Sequence, residues 1–266
     1  MTGMDYPHPP TPTFLFDLDG TLIDSVYQHV IAWRSALSDI GIDLSVWRIH
    51  RRIGMSGGLF VQALLRETGR TLSAEEIEQL QQAHAAAYVK QAASVTALPG
   101  AQELLAALTA HGVRWAIATS GYAATARPAL ELLGLPDSTP MVTRDLVRHA
   151  KPDPDLFLGA AALLGVDPRH TMVVGDSVWD LLAARRAGAL SIGLQSGGYG
   201  REELERAGAF RVYADPAEML NRLDEAGVRL GDPGWTAEEE GYWPDRGVTG
   251  RRSLPATAPP SSFRRA

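Results

Sequence analysis

Two aspartates separated by one residue come directly after a short apolar run near the start of the chain. The run is Thr13–Phe16, and the stretch that follows it is Asp17-Leu18-Asp19-Gly20-Thr21. The apolar run predicts a buried strand, and charges next to a buried strand are costly unless they lie at its exposed end. Asp19-Gly20 alone would indicate only a polar turn, because Asp-Gly is common in turns. In an open parallel sheet the exposed strand end borders the crevice where ligands bind, so a functional site is expected here.

Hydroxyl side chains follow a second predicted strand, and a lysine precedes a later helix. The apolar segment Val113–Ala118 ends in Thr119-Ser120-Gly121. Lys151 begins Lys-Pro-Asp-Pro, whose prolines force an extended approach to a helix that starts near Asp155. Each stretch also has a purely structural interpretation, as a hydroxyl cap of the next helix and as a surface lysine.

Two further aspartates follow the predicted strand Thr171–Gly175. Asp176 can be a helix N-cap, and Asp180 can be a first-turn residue that favours the helix dipole. Positions i and i+4 share one helical face, so both carboxylates can also reach one site. The glycine-rich loop Gln195–Gly200 follows the strand Leu190–Leu194 and is interpreted as a backbone turn near that site, because it lacks the lysine of a P-loop.

These four stretches resemble, in order, the four motifs of the haloacid dehalogenase-like (HAD) phosphohydrolases. The resemblance covers roughly residues 13–225. Leu22-Ile23-Asp24-Ser25, after the first motif, is similar to the subgroup that includes phosphoglycolate phosphatases and beta-phosphoglucomutases. The motifs together are far more specific than any one of them alone.

The resemblance implies a Mg²⁺-dependent phosphatase that acts through an aspartyl-phosphate. Asp17 would be the nucleophile, and Asp19 would protonate the leaving alkoxide and later activate water. Lys151 would keep Asp17 ionised and bind the phosphoryl group. The implied Mg²⁺ ligands are Asp17, the backbone carbonyl of Asp19, and Asp176, with Asp180 bound to the ion or next to it. An acid role for Asp19 near neutral pH requires a raised pKa, which burial and neighbouring carboxylates can supply.

The resemblance also implies how the substrate is held. Thr119 Oγ and the Ser120 amide would bind phosphoryl oxygens at a helix N-terminus. The substrate would be a small phosphorylated metabolite, of the phosphoglycolate or sugar phosphate type. In the loop from His50 to Gly58, Arg51 or Arg52 would recognise a second anionic group such as a carboxylate. A solvated basic turn is an equally good interpretation of these two arginines.

Strands that alternate with helices predict an α/β fold with a doubly wound, Rossmann-like parallel sheet. Residues 43–95 contain no convincing strand, and a helical insert at this place resembles the small cap domain of the subgroup. The expected division is a core of 13–23 plus 97–226 and a helical cap of 24–96. Residues 1–12 would be a loose leader. Residues 227–266 would be a disordered tail, unless Trp235 or Trp243 docks on the surface.

Composition limits the classes of function. The chain has 45% hydrophobic residues, which is ordinary for a globular protein. Its net charge of −6 makes a nucleic-acid partner improbable. It has no cysteine, so disulfides, thiolate metal sites and a cysteine nucleophile are excluded. No apolar run reaches the ~18 residues of a membrane span, and the N-terminus lacks the features of a secretory signal. A cytoplasmic enzyme without a membrane partner is expected; oligomeric state is left open.

Three rival functions share parts of this pattern. A haloacid dehalogenase has no leaving alcohol to protonate, and Asp19 argues against it. A phosphoglucomutase would be expected to have a bulky residue at Thr21, an arginine near Gly57 and a carboxylate at Gly175, none of which is present. A non-catalytic binding protein would not need the complete set of motifs.

Overall fold

A six-stranded parallel sheet lies at the centre of the computed structural model, which describes residues 12–229. The order of its strands is β5-β4-β1-β6-β7-β8, and every neighbouring pair is parallel. The eight strands of residues 12–229, in chain order, are β1 Thr13–Phe16, β2 Ile23–Asp24, β3 Thr96–Ala97, β4 Trp115–Ala118, β5 Met141–Val142, β6 Thr171–Gly175, β7 Leu190–Leu194 and β8 Arg211–Tyr213.

Helices cover both faces of this sheet, because successive residues of a strand point to opposite sides. Phe14 and Phe16 of β1 face one apolar layer, and Leu15 faces the other. The α-helices are α1 Val26–Asp39, α2 Val46–His50, α3 Gly57–Thr68, α4 Ala74–Val89, α5 Ala101–Ala110, α6 Ala123–Leu132, α7 Asp155–Leu163, α8 Val178–Ala187, α9 Arg201–Ala207 and α10 Pro216–Leu220. The predicted doubly wound α/β fold is confirmed.

The central position of β1 follows from its two neighbours. Leu15 pairs with Ala116 of β4 on one side and with Val173 of β6 on the other. The amide of Asp17 donates to the carbonyl of Val174 at 2.8 Å, so the ladder extends one residue beyond the strand. The carboxyl ends of β1, β4 and β6 therefore meet at one edge, where the predicted motifs lie.

The segment between β2 and β3 is helical, with α1 to α4 packed around an apolar cluster of its own. This cluster includes Trp33, Leu37, Phe60, Leu64 and Leu80. β2 and β3 pair antiparallel where the chain leaves and re-enters the sheet region, a two-residue ribbon that the sequence did not predict. The division into a core of 13–23 plus 97–226 and a cap of 24–96 stays a prediction.

Several element boundaries differ from those expected. The capping box Ser73-Ala74-Glu75-Glu76 predicts a helix that runs to about Ala93, but α4 ends at Val89 and a 3-10 turn covers Ala92–Ser94. Pro128 predicts that the helix near Tyr122–Leu133 begins late or is kinked, but α6 begins at Ala123 and contains Pro128. Val228 is buried against the core, two residues beyond the predicted core boundary.

The expectations for residues 1–11 and 230–266, including Trp235 and Trp243, fall outside the described residues. Within residues 12–229, no helix combines the length and the apolar character that crossing a membrane requires.

Candidate active site

Asp17 and Asp19 stand on a tight loop at the end of β1. The amides of Leu22 and Ile23 both donate to the carbonyl of Leu18, at 2.9 and 3.1 Å, and they fold the loop back on itself. Gly20 has a φ of +81°, and a Cβ there would lie 2.6 Å from Asp176 Oδ2. Only glycine suits this position, because the backbone is left-handed and the neighbouring carboxylate is so close.

Lys151 forms the positive centre of the site. Its side chain is fully buried, its ammonium pairs with Asp17 Oδ1, and Nζ lies 2.8 Å from Asp180 Oδ1. Burial alone would lower the pKa of Lys151, but the charges of Asp17 and Asp180 outweigh burial and raise it. Lys151 is therefore held as a cation, and the surface-lysine interpretation is wrong.

Three buried carboxylates gather around this one lysine. Asp17, Asp176 and Asp180 each offer an oxygen, and these oxygens lie within 4.8 Å of one another. Burial raises the pKa of Asp17 to about 7, with Lys151 opposing it and the charge of Asp180 adding to it. Burial, Asp180 and Asp17 likewise raise the pKa of Asp176 above its ordinary value. The cluster has more negative charge than Lys151 balances, and its hard oxygen donors fit a divalent cation such as Mg²⁺.

Hydroxyl groups and glycine backbone fix the orientation of the carboxylates of β6 and α8. Thr21 Oγ1 donates to Asp176 Oδ1 at 3.1 Å. The amide and hydroxyl of Ser177 both donate to Asp180 Oδ2. A Cβ at Gly197 would lie 1.7 Å from Asp176 Oδ2, so the glycine-rich loop approaches that carboxylate with bare backbone.

Asp19 belongs to a separate network that runs into α1 and α4. Ser25 Oγ donates to Asp19 Oδ1 at 2.7 Å, and His29 Nε2 lies 3.2 Å from the same oxygen. His29 Nδ1 lies 3.2 Å from His84 Nε2, and the His29 ring stacks on Tyr88 with centroids 4.0 Å apart. Burial would raise the pKa of Asp19, but His29 and Ser25 outweigh it and hold that pKa below its ordinary value. The expected raised pKa of Asp19 is therefore wrong for this arrangement of side chains.

A cavity of about 140 Å³ joins these groups to the helical segment. Asp17, Asp19, Thr119 and Ser120 line it. Thr119 Oγ1 accepts from the amide of Gly121 at 2.9 Å, and Ser120 Oγ donates to the carbonyl of Gly54 at 3.1 Å. The structure thus brings the residues after β1 and β4 to one space.

The order of these motifs agrees with a known family. Residues 11–188 match the family described as haloacid dehalogenase-like hydrolase. The chain belongs to this family. The resemblance on which the sequence analysis relied is thereby confirmed.

Relatives of this HAD-like hydrolase include named phosphatases. Hexitol phosphatase A of Escherichia coli is 33% identical over 177 residues, which cover 66% of this chain and 79% of that protein. A phosphoglycolate phosphatase of Rhodospirillum rubrum is 32% identical over 227 residues, covering 82% and 94%. The crystal structure of a hydrolase from Pseudomonas syringae is 53% identical with a TM-score of 0.79, covering 80% of this chain and 98% of that one. The predicted phosphoric monoester hydrolase is confirmed.

The two arginines of the loop before α3 have other partners in this HAD-like hydrolase. The guanidinium of Arg51 pairs with Glu203 and lies 4.2 Å from the Tyr199 ring centroid, and Arg51 does not line the cavity. Arg52 does line the cavity. Its guanidinium pairs with Glu67 and donates to the carbonyl of Arg48 at 2.7 Å.

Sequence reasoning missed the contacts that hold this loop against the sheet edge. The indole of Trp179 and the hydroxyl of Tyr199 both donate to the carbonyl of Arg51, at 3.3 and 2.9 Å. His50 Nε2 lies 2.7 Å from the carbonyl of Gly197. His29 and His84 could not be predicted from the sequence either, because their partners come from helices that meet only in the folded chain. A local indication is that His29 lies one helical turn after Ser25.

Proposed function

We propose that this HAD-like hydrolase is a Mg²⁺-dependent phosphatase that hydrolyses a small phosphate monoester through an aspartyl-phosphate on Asp17. The observation that supports it best is the placement of Asp17. Its carboxylate contacts Lys151, stands within the buried carboxylate cluster, and lines the same cavity as Asp19. A nucleophile, an acid-base group and a cation-binding cluster thus share one space.

The first half-reaction transfers the phosphoryl group to Asp17. An Asp17 oxygen attacks phosphorus, the bond from phosphorus to the alcohol oxygen breaks, and that oxygen takes a proton from Asp19. Lys151 offsets the repulsion between the carboxylate and the phosphate. Thr119 and Ser120, which line the same cavity, would bind phosphoryl oxygens.

The second half-reaction returns Asp17 to its starting state. Asp19 accepts a proton from water as the water oxygen attacks phosphorus, the bond from phosphorus to the Asp17 oxygen breaks, and inorganic phosphate leaves with Asp17 as a carboxylate. The lowered pKa of Asp19 keeps this carboxyl ionised, and a base must be ionised to accept the proton. Its acid role requires a proton first, and the negative charge of an arriving phosphate raises the pKa of a nearby carboxyl.

Asp17, the carbonyl of Asp19, and Asp176 would hold Mg²⁺, with Asp180 bound to it or adjacent. The ion would supply positive charge to the phosphoryl oxygens. Asp17, Asp176 and Asp180 are buried and close enough to share one cation. Asp180 also has Lys151 as a partner at 2.8 Å, which favours an adjacent position.

The named relatives suggest the range of substrates, namely phosphoglycolate and sugar phosphates. A mutase activity is disfavoured by Gly175. A Cβ there would lie 2.3 Å from the Cβ of Asp180, so a carboxylate at 175 would displace the partner of Lys151. A non-catalytic role is disfavoured because nothing in a binding protein requires a buried lysine paired with two aspartates.

The test is Mg²⁺-dependent release of phosphate from p-nitrophenyl phosphate, with Asp17→Asn and Asp39→Asn as variants. Asp39 is exposed at the end of α1 and serves as the control for loss of one negative charge. We expect EDTA and Asp17→Asn each to abolish turnover and Asp39→Asn to retain it. Turnover close to wild type in a folded Asp17→Asn protein would disprove the role of Asp17.

A further inference from the structure

One part of the cavity wall is built from aromatic and apolar side chains. Trp33, Ile53, Met55, Phe60 and Tyr88 line it. The Trp33 ring stacks with that of Phe60, with centroids 4.2 Å apart, and with that of His84 at 4.0 Å. Stacked aromatic rings on a buried helical cluster form a rigid wall that binds apolar surface.

Among the described residues that line the cavity, none is an arginine or lysine without an acidic partner. Gln81 is neutral, and burial lowers the pKa of His84 to about 3, with His29 adding to the effect. Lys151 is already shared between Asp17 and Asp180. The groups facing His84 are His29, Trp33 and Tyr88, with Asp19 beyond His29.

Two basic side chains of the cavity wall already have acidic partners: His29 Nε2 lies 3.2 Å from Asp19 Oδ1, and the guanidinium of Arg52 pairs with Glu67. One terminal nitrogen pairs with Glu67 and the other donates to the carbonyl of Arg48. Glu67 also pairs with Arg48 at 2.6 Å, and the Arg48 side chain is 42% exposed, so the excess positive charge of this group lies toward solvent. A substrate carboxylate near Arg52 would therefore compete with Glu67 for the charge of the guanidinium.

We propose that the alcohol part of the substrate is uncharged and has an apolar face, and that the cavity discriminates against phosphate monoesters with a second anionic group. This inference rests on the proposed phosphatase function and names the substrate class of the same site. A second anion would be desolvated beside an aromatic wall, with Asp17 and Asp19 already in the same space. Burying an unpaired carboxylate is costly, whereas an apolar face gains from contact with Trp33 and Phe60.

The size of the cavity limits the size of the alcohol part of the substrate. Its volume of about 140 Å³ is well below the ~300 Å³ at which pockets for drug-sized ligands begin. The phosphoryl group must occupy part of it. The alcohol is therefore small, and an uncharged polyol or a short alkyl or cyclic alcohol fits this description.

The experiment compares pairs of substrates that differ in one charge. 2-Hydroxyethyl phosphate is matched with 2-phosphoglycolate, and glycerol 3-phosphate with 3-phosphoglycerate. We expect kcat/KM to be at least 10-fold higher for the uncharged member of each pair, and Asp17→Asn to abolish all four activities. Equal or faster turnover of the carboxylated members, lost in Asp17→Asn, would overturn this inference and leave the phosphatase proposal standing. Absence of Asp17-dependent turnover with any phosphate monoester would overturn the phosphatase proposal itself.

Two variants test the role of Arg52 directly. Arg52→Gln is expected to change kcat/KM for both members of a pair by the same factor, because Arg52 has no carboxylate of the substrate to bind. Glu67→Gln releases the guanidinium of Arg52 and is expected to reduce the preference for the uncharged member several-fold. Glu78→Gln, on the exposed side of α4, is the matched control and should leave the preference unchanged. A selective loss of 2-phosphoglycolate turnover in Arg52→Gln would contradict the inference.

Discussion

Lys151 Nζ lies 2.8 Å from Asp180 Oδ1, and the same ammonium pairs with Asp17 Oδ1. The side chains of Lys151 and Asp180 are fully buried, and that of Asp17 is 5% exposed. One cation thus links the end of β1 to the first turn of α8. Removing one partner of a buried charge cluster costs more than the pair contributes, because the remaining charges stay buried without compensation.

Replacing Lys151 by methionine should therefore affect stability as well as activity. With EDTA present, we expect the free energy of unfolding to fall by about 3–5 kcal/mol, the usual cost of breaking a buried ion pair from one side. Mg²⁺ should restore part of the loss, since it supplies positive charge to the same carboxylates. Urea unfolding at pH 8 measures both. Lys90→Met, at an exposed position, should change stability by less than about 0.5 kcal/mol. Equal effects of the two substitutions would contradict the role of the cluster.

Two serines at helix N-caps should respond differently to replacement by alanine. Ser73 Oγ accepts from the amide of Glu76 at 3.2 Å and caps α4, so Ser73→Ala should cost about 1 kcal/mol and leave kcat unchanged. Ser25 occupies the N-cap of α1 without such a bond and donates instead to Asp19. Ser25→Ala should lower kcat several-fold with a smaller loss of stability. Thermal unfolding measures the stability of both variants, and steady-state assays measure their kcat. A loss of kcat in Ser73→Ala would contradict the separate roles of the two serines.

The fold could be predicted well where apolar runs end abruptly. β1, β6 and β7 have the predicted bounds, because a polar residue (Asp17, Asp176 and Gln195) follows each strand. Parallel topology then requires the loops after β1, β4 and β6 to meet at one edge. Asp17, Thr119 and Asp176 are together for this reason, and no side-chain detail was needed to predict their proximity.

The network beyond Asp19 could not be predicted, because it depends on how two helices pack. His29 on α1 and His84 on α4 are 55 residues apart in the chain, and each looks like an ordinary helix residue on its own. The contacts of Arg51 and Arg52 could not be predicted for the same reason. Their neighbours in sequence suggest an anion site, but their partners Glu203 and Glu67 come from α9 and α3. The role of Ser25 was equally undecidable, since an N-cap and a partner of Asp19 require the same hydroxyl.

Gly175 should tolerate no side chain. A Cβ there would lie 2.3 Å from the Cβ and 2.5 Å from the Cγ of Asp180, so Asp180 must move away from Lys151. We expect Gly175→Ala to reduce activity at least 10-fold and to destabilise the fold, and Gly175→Asp to do both more strongly. The control is Gly58→Ala, where the nearest atom, Gln81 Nε2, is 3.9 Å away; it should be close to neutral. Formation of glucose 6-phosphate from glucose 1-phosphate by the wild-type protein would instead support the mutase alternative.

His84 should make stability fall in mild acid. Its pKa is lowered from 6.5 to about 3 by burial, and His29 adds to the effect. The unfolded chain therefore binds a proton near pH 6.5 that the folded chain does not bind until far lower pH. The unfolded state holds more protons in this interval, so the free energy of unfolding decreases as pH falls below about 6.5. A group with these properties lowers the free energy of unfolding by about 2 kcal/mol between pH 7.5 and pH 5.

Urea unfolding at these two pH values should show that His84→Gln, which cannot titrate, loses less stability than the wild type by this amount. His111→Gln, on an exposed turn after α5, is the control and should follow the wild type. An identical loss in wild type and His84→Gln would mean that His84 is protonated in the folded protein.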